Sequence, residues 1–123
     1  MPILVGDLRN PQGEVNENTV KAIAGTIQSV INEQTLVVIA TSFTHYGSEF
    51  GELTFKDDLE DNIARLDRLA FENLLTRDLD GFRAYLEKTR NSIDGKNCLQ
   101  LLLCLLPDNA QARLLAYDTS MTK

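Results

Sequence analysis

Thr35-Leu36-Val37-Val38-Ile39-Ala40-Thr41 is apolar without alternation and rich in β-branched side chains. A run of this kind reads as a strand covered on both faces, as in a parallel sheet, and this narrows the fold more than any other feature. Pro2-Ile3-Leu4-Val5-Gly6 is a shorter run of the same kind, closed by glycine. Between the two lie Val20, Ile23, Ile27, Val30 and Ile31 on one helical stripe, with Asn18 placed to cap it. Strand, helix, strand is a βαβ unit, and its crossover is expected to be right-handed.

Further along, Leu59, Ile63, Leu66, Ala70 and Leu74 mark a second helix, and a third starts near Asp80 with Phe82, Tyr85 and Leu86 as its apolar side. The turn-rich Asn91–Asn97 leads into a Leu-rich helix from Cys98 to Leu106, which Pro107-Asp108-Asn109 ends. Ala112 to Tyr117 reads as a third strand. The expected fold class is therefore α/β, a three-layer sandwich around a mostly parallel sheet, in one domain over residues 1–123. Three strands are few for such a sheet. The exposed edge of so apolar a strand demands a partner, so an oligomer or another chain carrying the rest of the sheet is expected.

Charge and hydropathy exclude some roles. The net charge is −6, and no stretch clusters Lys and Arg strongly enough to displace counterions from phosphates, which argues against nucleic-acid binding. No apolar run reaches the roughly 18 residues that span a bilayer, and MPILVGDLRNP has neither a basic n-region nor a long apolar core. No membrane association and a cytoplasmic location are expected. Cys98 and Cys104 bracket a leucine run and read as small core residues, not as a disulfide or a metal knuckle. Asp57, Asp58, Glu60 and Asp61 cluster where negative charge meets the positive end of the second helix.

Function in open α/β sheets gathers beyond the carboxyl ends of strands. After Thr41 comes Ser42-Phe43-Thr44-His45-Tyr46-Gly47-Ser48-Glu49-Phe50-Gly51, a polar and aromatic loop with two glycines. Leu36 through Gly47, followed by Phe50, resembles the signature of the Memo family: a hydrophobic strand entering Ser-Ser-Asp-Phe-x-His-Trp/Tyr-Gly and then a Phe. Pro2-Ile3-Leu4-Val5-Gly6 is similar to that family's Pro-Val-Leu-Val-Gly, Ile63-Ala64-Arg65-Leu66-Asp67 to its Ile-x-x-Leu-Asp, and Asn91-Ser92-Ile93-Asp94-Gly95 to its Asn-Thr-Ile-Cys-Gly. Blocks in matching order outweigh any single short motif.

The resemblance implies the C-terminal half of a fold related to class III extradiol ring-cleaving dioxygenases, with a metal-capable pocket at the strand ends. That pocket takes two histidines from an N-terminal half, the Asp and His of the loop signature, and the Cys before glycine. Of these only His45 is kept: Ser42 stands for the Asp and Asp94 for the Cys. The resemblance further implies that the chain stops short of the family's last sheet and helix. The pocket candidates are Ser42, His45, Tyr46 and Asp94, and the metal-ligand candidates are His45 and Asp94, for a divalent iron or zinc.

Bland readings stand beside these. His45 also suits a loop imidazole bonded to a carbonyl, Ser42 a hydroxyl capping the loop, and Asp94 a turn carboxylate bonded to its own backbone. Ser42 lacks the Gly-x-Ser-x-Gly elbow of a hydrolase nucleophile. Asp67 reads as a helix-face acid that orients the loop. Two functions follow: a Memo-like protein without activity of its own that acts by self-association or with a partner half, or a metal-dependent oxidoreductase of the extradiol type whose site another chain completes.

Overall fold

The structure, a computed structural model, describes residues 1–50 and 55–120. It is built from helices α1 (Glu17–Gln28), α2 (Leu59–Leu75), α3 (Leu79–Thr89) and α4 (Lys96–Leu105). The second glycine of the loop, Gly51, lies outside the described residues.

Helix α1 is capped by Asn16, whose Oδ1 accepts from Thr19 N–H at 3.1 Å, and not by Asn18. An N-cap residue needs non-helical backbone, and the chain turns helical at Glu17, one residue before Asn18. The helix also ends before the end of its apolar stripe. Ser29 Oγ donates to Thr26 O at 2.7 Å, and Asn32 and Thr35 then close a turn, which leaves Val30 61% exposed.

On α2 the buried residues are Ile63, Asp67 and Ala70, a four-then-three spacing that defines one face. A tight corner follows, with Arg77 left-handed at φ 57° and Asp78 Oδ1 accepting from Gly81 N–H at 2.8 Å. A Cβ at Gly81 would meet Asn73 Oδ1 and Asp78 Oδ2 at 2.4 Å, so a larger residue there would displace the Asp78 cap. Helix α3 then buries Phe82 and Tyr85.

The leucine run of α4 buries Leu99 and Leu101, which lie about 200° apart around the helix axis. Each serves a different core. Leu99 joins Ala70, Phe82, Tyr85 and Ile93, whereas Leu101 joins Leu8 and Val20. Helix α4 is thus the centre of a layer ordered α1, α4, α3, α2.

The expected α/β sandwich is overturned. Among the described residues there is no sheet, and the one β feature is an isolated antiparallel bridge between Arg9 and Val15. The runs at 2–6, 35–41 and 112–117 are irregular, and no backbone hydrogen bond joins any of them to another among the described residues. Their apolarity has a different outcome. Val5 packs on the α1–α4 core and Ile39 on the α2–α3–α4 core, while Leu4, Leu36, Val38 and Leu115 point outward at 101, 85, 75 and 80% exposure. A parallel ladder needs paired neighbours and cover on both faces. Here the described helices form one layer and cover one face.

Candidate functional site

Two loops meet at the N-terminal end of α4. Gly95 N–H donates to Thr41 Oγ1 at 2.7 Å, and a Cβ on Gly95 would stand 2.5 Å from Thr41 Cβ, so the contact requires glycine. This docking holds the 41–46 segment against 91–95. Phe43 and Ile39 seat it on the core, Phe43 stacking tilted on Phe71 of α2 at 4.5 Å between ring centres.

His45 is brought to Asp94 by that docking. Its Nδ1 lies 2.8 Å from Ser92 O, and because a carbonyl only accepts, Nδ1 carries the proton. Nε2 faces Asp94 Oδ2 at 3.4 Å, with His45 mostly buried and Asp94 exposed. With a proton on Nε2 the two form an ion pair; without one, a lone pair faces a carboxylate oxygen. The 3.4 Å span suits two ligands of one tetrahedral ion at about 2.1 Å from each.

Iron of the dioxygenase type takes two histidines and a carboxylate. Among the described residues no group of three His, Cys, Asp or Glu side chains is placed to hold an ion. Among the described residues, His45 and Asp94 thus do not make a complete metal site.

The other candidates sit nearby. Tyr46 stacks on Phe55 and its hydroxyl donates to Phe55 O. Phe50 lies 5.1 Å from the His45 ring, across the left-handed Gly47 at φ 138°. Ser42 is exposed on the cleft wall, its carbonyl accepting from Thr41 Oγ1 at 2.9 Å. Asp94, read from sequence as a turn carboxylate or a ligand, faces His45.

A buried network behind His45 joins Asp67, read from sequence as the acid that orients the loop, to Thr44, Tyr85, Asn91 and Tyr117, whose part in it the sequence reading did not single out. Asp67, 4% exposed, accepts from Thr44 N–H at 3.0 Å, from Thr44 Oγ1–H at 2.5 Å and from Tyr117 O–H at 2.8 Å. Asn91 Nδ2 donates to Thr44 Oγ1 and to Tyr85 Oη, both at 2.7 Å. Asp67 thus fixes the loop, and it also fastens the C-terminal run, which shares the cleft wall. Burial pushes the Tyr117 hydroxyl up from its ordinary pKa, and the bond to Asp67 and its charge add to the rise. Burial likewise raises Tyr85, against the lowering effect of its Asn91 and Thr89 bonds. Both shifts favour the protonated phenol, in which Tyr117 donates to Asp67 and Tyr85 accepts from Asn91.

Between the 41–46 loop, α2 and residues 114–120 opens a cleft of about 830 Å³. Its floor is apolar, with Phe43, Ile63, Phe71 and Leu114, and His45 lies on its wall.

The family model described as Memo-like protein matches residues 1–123. The chain belongs to this family. No curated protein and no solved structure matches it. In this Memo-like chain, His45 and Ser42 line the cleft and Asp94 faces His45. No helix among the described residues is long and apolar enough to cross a membrane.

Proposed function

We propose that this Memo-like chain has no catalytic activity of its own and acts by association with another polypeptide, either a second copy or a chain supplying an N-terminal half. One observation carries this reading. The accessible surface is 9080 Å², whereas a folded monomer of 13.7 kDa exposes about 6600 Å². The excess, about 2500 Å², is on the scale of an obligate interface. Sedimentation of the purified chain with a hydrophobic dye tests it. An oligomer, or a monomer that binds the dye, is the expected result, and a monodisperse monomer that leaves the dye dark overturns the proposal.

The approach of His45 Nε2 to Asp94 favours a second reading, a metal-dependent oxidoreductase of the extradiol type whose site another chain completes. Elemental analysis of the isolated and the partnered protein, with His45→Ala and Asp94→Ala, decides it. Stoichiometric iron or zinc that appears with the partner and is lost in both variants supports this reading. Absence of metal from both preparations removes it.

A further inference from the structure

Three rings line the cleft in a row. Phe43 and Phe71 lie 4.5 Å apart between centres with their planes at 54°, and Phe71 and Tyr117 lie 5.9 Å apart with their planes at 78°. Rings turned so steeply form a corner instead of a flat wall, and their spacing puts all three within reach of one ammonium-sized group, roughly 6 Å from a ring centre. Ile63 and Leu114 extend the apolar surface. The volume of about 830 Å³ falls within the range of small-molecule sites, roughly 300–1,000 Å³.

Behind the corner stands a charge. Asp67 reaches the lining although it is 4% exposed, and its three donors are neutral: Thr44 N–H, Thr44 Oγ1–H and Tyr117 O–H. Dipoles solvate a carboxylate without cancelling it, and no Lys, Arg or His pairs with Asp67 among the described residues. None of the described lining residues is Lys or Arg, and His45 is engaged by Ser92 O and Asp94. Burial and the bond to Asp67 raise the Tyr117 pKa, and the charges of Asp67 and Glu60 push it the same way, so the field at this wall is negative. Such a field repels an anion, and the apolar floor offers a bare metal ion no oxygen ligands. A neutral ligand would leave the carboxylate unanswered. We infer that this corner binds a small organic cation, an alkylated ammonium on an apolar body, against Phe43, Phe71 and Tyr117 with Asp67 as the counter-charge. The site lies within one chain, so association is neither required for it nor tested by it.

The test is titration of the full chain with choline and with its uncharged tert-butyl analogue, read by calorimetry and by amide chemical shifts. Choline should bind at one site and shift the 41–46 and 114–120 segments. The analogue, which lacks the charge, should bind roughly tenfold weaker or not at all. Tyr117→Leu removes a ring from a residue 40% exposed and should weaken choline about tenfold, whereas Tyr117→Phe keeps the ring and should stay within about threefold of wild type. Helical circular dichroism should match wild type in both. Absence of choline binding at millimolar concentration overturns the inference. Equal binding of the analogue, the mark of a merely apolar cleft, overturns it as well. So does choline binding that ignores Tyr117→Leu, or that Tyr117→Phe weakens as much as Tyr117→Leu.

Discussion

Asp67 is a buried carboxylate whose neighbours are all donors: one backbone N–H and two hydroxyls. Asp67→Asn keeps the shape but removes the charge and aims an amide donor at a site that needs only acceptors. Hydrogen bonds to a buried charge are worth roughly 1.5–3 kcal/mol each, so we expect a loss of about 2 kcal/mol or more in urea unfolding. Tyr117→Phe should cost less, since Tyr117 is half exposed and one bond is lost. Alkali gives an independent check. The folded state raises the pKa of Tyr85 and Tyr117 above the unfolded value of about 10, so their contribution is complete below that pH and is lost as pH rises beyond it. Stability measured at pH 8 and pH 10.5 should fall, and the fall should be smaller in Tyr117→Phe. An unchanged slope in that variant would contradict the role given to its hydroxyl.

At the scale of elements, α1 offers a sharp comparison. Asn16→Ala removes the side-chain cap and should cost about 1 kcal/mol, whereas Asn18→Ala, inside the first turn, should stay within about 0.5 kcal/mol. Chemical denaturation of the two variants side by side reads the difference. Helices were legible because their apolar residues repeat on one face: Ile63 and Ala70 on α2, and Phe82 and Tyr85 on α3, are buried as their spacing implies. Residues 35–41 were misread because apolarity reports what a side chain avoids, not whether a neighbour is there to cover it. Val38 and Ile39 look alike in sequence, yet one faces water and the other a core. The site was legible in part. A motif singled out His45 and Asp94, but their approach depends on the Gly95–Thr41 contact, which no local pattern encodes. Tyr117 was hidden inside a supposed strand, and Thr44 and Asn91 carry no signal until the fold places them beside Asp67.

For the molecule as a whole, the large surface sets a thermodynamic expectation. A chain of 13.7 kDa exposes about 20,000 Å² when unfolded, so this one buries about 54% of it, against about 67% for a typical monomer of its size. Both the denaturant slope and the heat capacity of unfolding scale with that area. Measured on the monomer at low concentration, each should fall about a fifth below the norm for its length. Values at the norm would mean that the monomer hides the surface described here. The shared anchor at Asp67 bears on kinetics as well. Thr44 and Tyr117 reach the same carboxylate from opposite directions along the chain, so the two walls of the cleft share an attachment. Opening the C-terminal wall leaves the charge short of a donor and loosens the loop wall too. The two should therefore exchange amide hydrogens as one cooperative unit.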